Sequence, residues 1–155
     1  GRTALGGVWA MSANDAPRWE LWLPAMPGPP RKRTKTIAGV KYTTKERRLE
    51  LPPNANDRTH WRHKGPWVKA LRAAAKQAAK QAGIPCLERV RIGAVIRRER
   101  IGQADADNDT SRLKNLIDGL VDAKVVPNDT YRHVEIGTVT EERGPVGVLL
   151  IVEAA

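Results

Sequence analysis

The sequence predicts an α+β domain, in which two main helices pack on a mixed sheet of about four strands. Two windows repeat apolar residues at helical spacing, whereas several others are short apolar or alternating runs of the kind that form strands. Pro, Gly, Asn and Asp residues separate these windows, as expected for turns. With 155 residues, of which 41% are hydrophobic, the chain is long enough to bury one sizeable core.

The first part of the chain has weak structural signals. We expect residues 1–17 to be disordered or to be an extension upstream of a single domain over residues 18–155. Residues 18–23 alternate as a strand does. A basic, Pro-rich insertion follows around residues 24–46, and its run 31–35 is expected to be solvated. Weaker strands at 40–44 and 48–51 could pair as a hairpin, and the first strand of the sheet is either 19–23 or 47–51.

The later elements have stronger signals. A first helix is predicted over 65–82, with Pro66 in its first turn and Gly83 after its last residue. A strand is expected over 87–98. A second helix is predicted over 109–123, capped by Asn108 or Asp109, because apolar residues recur at helical spacing from Leu113 onward. Strands over 131–140 and 146–152 would be joined by a hairpin turn at 141–145.

Charge is distributed unevenly along the chain. Residues 1–103 contain 22 Lys or Arg and 7 Asp or Glu, a balance of +15, whereas residues 104–155 contain 5 and 10, a balance of −5. A strongly basic region favours contact with a polyanion such as DNA, although a basic helix stripe is more often only a solvated face. The candidates for phosphate contact are Arg58, Arg62 and Lys64 before the first helix, and Lys69, Arg72, Lys76 and Lys80 along it.

The acidic part begins with three closely spaced carboxylates, Asp105, Asp107 and Asp109. Their mutual repulsion is costly unless a cation lies among them. A calcium loop of the EF-hand type is excluded, because Thr110 and Leu116 occupy the positions where that loop needs Gly and Glu. Mg²⁺, or alternatively Mn²⁺, fits better. A purely structural interpretation stays open in part, because Asp109 could cap a helix and Lys114 could pair with Asp118.

Four stretches of the chain resemble the RusA family of Holliday-junction resolvases. A loop rich in Pro and Asn at 52–61 resembles the family's loop before its first helix. The motif Asp105-Ala-Asp107-Asn108 resembles D-x-D-N. The helix with Lys114 and Asp118 resembles L-K-x-x-x-D-x-L, and a short turn ending at Asp129 carries a further acid. In this order the four stretches cover roughly residues 47–152.

The resemblance implies a set of site residues and an oligomeric state. It implies that Asp105, Asp107 and Asp129 bind Mg²⁺ and that Lys114 is the catalytic lysine. The step from Asn108 to Lys114 is longer than in the shortest family form, which makes Asp109 a further candidate ligand. The resemblance also implies a homodimer whose two sites cut opposed strands of a four-way junction. We expect the late strands, 134–139 and 146–152, to supply the dimer interface.

The expected function is therefore Mg²⁺-dependent hydrolysis of branched double-stranded DNA, with neither a small-molecule cofactor nor a membrane partner. Two alternatives stay open: a non-catalytic basic DNA-binding module, and a nuclease for flaps or single strands. The single Cys86 excludes an internal disulfide, and no apolar run approaches the about 18 residues of a membrane span. We expect a cytoplasmic protein of a bacterium or phage-infected host.

Overall fold

The computed structural model describes residues 3–5, 8–10, 16–102 and 106–155. The strands are β1 (Thr3–Leu5), β2 (Val8–Ala10), β3 (Arg18–Pro24), β4 (Met26–Pro27), β5 (Arg31–Ile37), β6 (Val40–Glu46), β7 (Leu49–Glu50), β8 (Val90–Arg98), β9 (Val134–Arg143) and β10 (Gly147–Ala154). The helices are α1 (Trp61–Ala82), α2 (Ala106–Ser111) and α3 (Lys114–Asp122).

One mixed sheet organises the domain, with strand order β1-β2-β3-β10-β8-β9. Its central four strands are β3, β10, β8 and β9, and only β8 and β9 run parallel. A parallel pair needs a crossover, and α2 and α3 lie in the connection between β8 and β9. The predicted α+β class, with about four main strands and two helical regions, is confirmed. The first strand of the central four is β3, so the alternative at 47–51 is wrong.

Helix α1 begins four residues earlier than predicted. The His60 ring accepts a hydrogen bond from the backbone N–H of Arg62 at 3.2 Å, which caps the helix N-terminus, and Pro66 therefore lies inside the helix. The predicted end is confirmed, because Gly83 adopts a left-handed conformation with φ of 71°. The buried side of α1 carries Trp67, Leu71 and Ala75, which face the sheet core.

The second predicted helix is broken into two. Arg112 and Leu113 separate α2 from α3, and their backbone N–H groups donate to Asp109 and Thr110, three residues earlier, at 3.2 and 3.1 Å. These tighter bonds turn the chain so that Leu113 is fully buried, and regular bonding resumes from Ile117 to Leu113 at 2.9 Å. The prediction of one continuous helix over 109–123 is therefore wrong.

Helices α1 and α3 approach each other closely at Gly119. A Cβ atom added there would lie 2.5 Å from the Arg72 carbonyl oxygen and 2.7 Å from the Ala75 Cβ. A glycine at this position therefore lets the two helix backbones meet. The shared core also includes Leu116, Leu120, Ile92, Ile96 and Leu150.

The basic insertion forms its own two-stranded ribbon of β5 and β6. A two-residue loop of Ala38 and Gly39, both with positive φ, connects Ile37 to Val40. The expected solvation of the run 31–35 agrees with the exposure of residues 32–35, whereas the expected hairpin between 40–44 and 48–51 is wrong. Met26–Pro27 pairs instead with Leu49–Glu50, which closes the base of the ribbon.

Strand β10 does not pair with β9. It lies between β3 and β8, and Val148, Leu150 and Val152 are buried in the core. The hairpin predicted at 141–145 is wrong, because this connection passes the end of β8, where Gly144 N–H donates to the Arg98 carbonyl at 3.1 Å. Strand β10 is therefore paired along both edges, whereas β9 is an edge strand with Ile136 exposed.

Of residues 1–17, the structure describes 3–5, 8–10, 16 and 17, and the first two of these ranges are strands where disorder was one of the expectations. Strands β1 and β2 pair with each other, and β2 pairs with β3 at the edge of the sheet. Within the described part of the chain, helices of a length and apolar character sufficient to cross a membrane are absent.

The close helix contact gives a first prediction. Gly119→Ala should lower the free energy of unfolding by about 1–3 kcal/mol, because the Arg72 carbonyl cannot move without bending α1. This loss should exceed the gain in helix propensity of about 1 kcal/mol. Urea unfolding followed by circular dichroism measures the change.

The matched control is Gly65→Ala in α1, where an added Cβ meets nothing within 4 Å. We expect no loss of stability there, and a gain of at most about 1 kcal/mol from helix propensity. Equal effects of the two substitutions would contradict the proposed close approach of the helices.

Candidate functional site

The acidic cluster lies in the connection between β8 and β9. Asp105 falls outside the described residues, so the structure neither supports nor opposes its assignment. Asp107 lies in the first turn of α2 and is exposed. Asp109, two residues later, is buried. The described carboxylates of the cluster therefore occupy different environments, which the sequence spacing did not indicate.

Asp109 is held by two arginines. Arg98, at the end of β8, donates hydrogen bonds to both carboxylate oxygens, one at 3.0 Å to Oδ2 and a shorter one to Oδ1. The Arg112 Nε lies 3.4 Å from Asp109 Oδ1. Only 7% of the Asp109 side chain is exposed. The hydrogen bond with Asp109 raises the pKa of Arg98, whereas burial, together with the nearby Arg98 charge, lowers the pKa of Arg112.

This pairing gives Asp109 a structural role. Its charge already has two cationic partners, so a metal ion would have to displace a guanidinium group to reach it. Arg98 also donates to Glu141 of β9 at 3.1 Å. The prediction that Asp109 is a further metal ligand thus finds no support in this arrangement.

The loop rich in Pro and Asn packs against α2. Backbone N–H of Ala55 donates to Ser111 Oγ at 2.9 Å, and Asn56 Nδ2 donates to Asn108 Oδ1 at 2.9 Å. Arg112 donates to the Pro52 carbonyl oxygen. Asn54 shapes the loop by accepting a bond from the N–H of Asn56 at 2.9 Å. The first two stretches of the family resemblance therefore lie in direct contact.

The other two stretches meet at Lys114. Its Nζ donates to Asp118 Oδ1 at 3.1 Å, one turn along α3, and to Asp129 in the turn after the helix. Lys114 is 61% exposed and Asp129 40% exposed in their side chains, so both are accessible to a ligand from solution. The chain thus returns Asp129 to the start of α3, as the resemblance implied.

These contacts fix the charge of the cluster. The hydrogen bonds that Lys114 donates to Asp129 and Asp118 raise the pKa of Lys114, and the bond with Lys114 lowers the pKa of Asp129. Lys114 is therefore a cation at neutral pH and Asp129 an anion. The lysine can donate a proton in a hydrogen bond, but it is not a base.

Whether the residues fit Mg²⁺ depends on their donor chemistry and grouping. Asp107 and Asp129 supply the hard carboxylate oxygens that Mg²⁺ prefers, on exposed positions at either end of the α2–α3 segment. Within the described ranges, which lack Asp105, no group of three His, Cys, Asp or Glu residues is close enough together to hold a metal ion. The donor types therefore fit Mg²⁺.

The basic residues predicted to bind DNA fall into two groups. Arg58, Arg62, Lys69 and Lys80 are exposed. Lys64 donates to the Asp57 carbonyl oxygen at 3.2 Å, and Arg72 forms two hydrogen bonds to Asp122, at 3.0 and 3.2 Å, that join α1 to α3. Lys76 is half-buried beside the same cavity as Arg72 and Asp122. The helix stripe is thus partly neutralised, and its exposed ends are the better candidates for phosphate contact.

An open cavity of about 760 Å³ lies beside this site. Its walls include Asn54, Asn56, Arg58, Arg98 and Arg112. These side chains offer amide and guanidinium groups, which are the donors that commonly contact phosphate oxygens. Arg58 was predicted from the sequence to contact phosphate, whereas Arg98 and Arg112 were not, because their placement depends on their partner Asp109.

Comparison of the chain with models of known protein families gives no match, and comparison with curated proteins gives no significant match.

The buried ion pair gives a second prediction. Asp109→Asn should lower the free energy of unfolding by about 3–5 kcal/mol, because it leaves the largely buried Arg112 without its carboxylate partner and Arg98 with Glu141 alone. Asp122→Asn is the matched control; its pair with Arg72 is 35–43% exposed and should contribute less than about 1 kcal/mol. Urea titrations of both variants give the comparison, and similar losses would show that Asp109 does not anchor the site.

Proposed function

We propose that this protein is a Mg²⁺-dependent endodeoxyribonuclease that cuts branched double-stranded DNA at four-way junctions. The observation that supports the proposal most is the contact of Lys114 with Asp118 and Asp129. A second contact, between the loop at 52–56 and α2, joins the other two stretches of the RusA-like pattern. Four stretches that are separate in sequence are therefore joined pairwise on the consecutive helices α2 and α3.

Lys114 has the properties required for an electrostatic role in phosphodiester hydrolysis. Its ammonium group is exposed and positively charged, and its two carboxylate partners restrict its position. A positioned cation offsets the negative charge that develops on phosphate and on the departing 3′ oxygen. We propose that Lys114 donates a hydrogen bond to one of these oxygens once DNA is bound.

The carboxylates have the complementary role. Asp105, Asp107 and Asp129 would hold Mg²⁺, which when bound lowers the pKa of a water molecule and neutralises charge on the scissile phosphate. Asp129 would then exchange part of its contact with Lys114 for the metal. Asp109 has a positioning role in this proposal, because it fixes α2 relative to the end of β8.

The exposed basic residues Arg58, Arg62, Lys69 and Lys80 would contact the DNA backbone. Such contacts recognise phosphate position rather than base sequence, so the proposal includes no sequence preference. A four-way junction has approximate two-fold symmetry, and cutting it needs two nicks. We therefore propose a homodimer, and the exposed Ile136 on the edge strand β9 makes that edge the candidate interface.

The alternatives make different predictions. A non-catalytic DNA-binding module would bind junctions but leave them intact with Mg²⁺. A flap or single-strand nuclease would use the same residues without the dimer. The exposed Lys114–Asp129 pair favours catalysis, because an exposed ion pair adds at most about 1 kcal/mol to stability, while its exposure leaves Lys114 accessible to a bound phosphate.

The proposal is tested at Asp107. Asp107→Asn should reduce the rate of junction cleavage in Mg²⁺ by about 10²-fold or more, because it removes a metal-binding carboxylate. Binding to the junction in EDTA should persist, since a negative charge near phosphate is also removed. Labelled junction DNA on denaturing gels measures cleavage, and mobility shift measures binding.

The control for Asp107 is Glu99→Gln, which removes one exposed acid from the loop after β8. It should cleave at the native rate. If Asp107→Asn also cleaves at that rate, the assignment of the site is wrong.

A pH profile tests the role of Lys114. Because its carboxylate partners raise the pKa of Lys114, the ammonium charge persists until the pH rises through that raised value, above about 10.5. The cleavage rate should therefore show no loss from this group up to about pH 9.5. Lys114→Met should lower the rate at every pH. Cleavage by Lys114→Met at the native rate would contradict the assignment.

A further inference from the structure

We infer that the ribbon formed by β5 and β6 is a DNA-binding arm, whose Lys/Thr face lies along the phosphate backbone of a duplex next to the cleavage site. The Lys/Thr face consists of Lys32, Thr34, Thr36, Lys41, Thr43 and Lys45. The inference rests on the proposed action on DNA and adds a binding surface outside the residues already assigned to it.

The ribbon projects from the domain. Every residue from 32 to 45 is exposed, and each strand contains seven residues, which corresponds to a length of about 20 Å. An isolated two-stranded ribbon is at best marginally stable in water. Its retention as a projecting element therefore points to a surface that is used in binding.

Strand register separates the residues onto two faces. Lys32 lies opposite Lys45, Thr34 opposite Thr43 and Thr36 opposite Lys41, and these pairs share one face. The hydroxyls of Thr34 and Thr43 are 3.3 Å apart, which confirms that these side chains point the same way. The other face carries Arg33 with Glu46, and ends in exposed apolar residues near the tip, including Ile37 and Tyr42.

The charge on the Lys/Thr face opposes ribbon stability. Lys32 and Lys45 are directly opposite each other, and like charges at such positions repel. Between residues 32 and 45 the sequence contains five Lys or Arg and no acid. A polyanion relieves this repulsion, and lysines interleaved with hydroxyl groups are typical phosphate-binding side chains. A two-stranded ribbon also has the right width to enter or cross a DNA major groove of about 12 Å.

The base of the ribbon connects to the candidate site. The Arg31 guanidinium lies 2.8 Å from Glu50 Oε1 and 3.6 Å from Asp57 Oδ2. Asp57 belongs to the loop whose Ala55 and Asn56 contact α2, beside Asp107. A continuous set of polar contacts thus links the ribbon to α2. This connection favours DNA as the partner over a membrane surface, which the lysines and apolar tip could also attract.

The direct test removes the three lysines of the Lys/Thr face with the variant Lys32→Ala, Lys41→Ala, Lys45→Ala. Fluorescence anisotropy in EDTA gives the affinity for labelled four-way junction and duplex DNA over a range of salt concentrations. Each lost phosphate contact should reduce the slope of log K against log salt by about 0.9, so we expect a reduction of about 2–3 together with weaker binding. An unchanged slope and affinity would overturn the inference.

Two control variants distinguish a specific role of the Lys/Thr face from the effect of the protein's total positive charge. Lys32→Arg, Lys41→Arg, Lys45→Arg keeps the charge and should bind as the native protein does. Arg18→Gln, Arg89→Gln, Arg91→Gln also removes three positive charges, but from arginines that pair with glutamates on the sheet. A loss of slope as large in this second control as in the lysine variant would overturn the inference.

A shortened protein that lacks the ribbon provides a second test in case the lysine variant does not fold. Arg31 and Glu46 are cross-strand partners, so replacing residues 32–45 with Asn-Gly closes the ribbon by a two-residue turn. It should keep the native unfolding midpoint and bind DNA as weakly as the lysine variant. Native affinity in this protein would overturn the inference, as would unchanged DNA binding with reduced binding to vesicles containing phosphatidylserine.

Binding in EDTA does not depend on cleavage, so the two proposals can fail separately. If the native protein binds DNA through the ribbon but does not cut it in Mg²⁺, the nuclease proposal alone fails. If the native protein cuts DNA and the ribbon variants bind unchanged, the ribbon inference alone fails. If the native protein does not bind DNA, both fail.

Discussion

The Asp109 side chain is 7% exposed between Arg98 and Arg112, and each arginine contacts a further part of the chain. Arg98 bonds to Glu141 of β9, and Arg112 bonds to the Pro52 carbonyl of the loop before α1. One buried charge therefore connects the end of β8, the edge strand, the α2–α3 segment and the loop. Removing charges from water is costly, and the mutual contacts offset that cost only while all partners stay in place.

The same interaction determines what the exposed residues can do. Because Asp109 turns inward, the chain bends at Arg112 and Leu113, and α3 begins at Lys114 with its side chain exposed. The turn after α3 then brings Asp129 to this lysine. The α2–α3 segment and the turn after it therefore expose two acids, Asp107 and Asp129, and one cation, Lys114. The buried contacts of Asp109 hold the backbone of this segment in place. A rigid support of this kind is what an electrostatic site needs, since its charges must be positioned before substrate arrives.

Helix ends and single strands were predictable from the sequence, whereas the pairing of strands in the sheet was not. The end of α1 follows from Gly83, and strand β8 from its alternation, because both depend on neighbouring residues. The hairpin expected between β9 and β10 is wrong because a local turn signal does not reveal that β8 and β3 are the better partners for β10. The ribbon was missed because Ala38, which has a positive φ of 49°, gives no turn signal in sequence.

In the candidate site, too, contacts between neighbouring residues were predictable from the sequence and contacts between distant elements were not. The contact of Lys114 with Asp118 follows from their spacing of four residues, and that of Lys114 with Asp129 was implied only by the family resemblance. The inward turn of Asp109 depends on Arg98, a residue on another element, so spacing within the acidic cluster could not distinguish an anchor from a ligand.

The central claim is that the protein hydrolyses branched DNA with Mg²⁺. The most direct measurement incubates the native protein with end-labelled four-way, flap and linear DNA of the same sequence, with and without Mg²⁺, and resolves the products on denaturing gels. We expect Mg²⁺-dependent, symmetric nicks in the four-way junction, with little cutting of the other two substrates. Binding to the junction without any cleavage in Mg²⁺ or Mn²⁺ would contradict the claim.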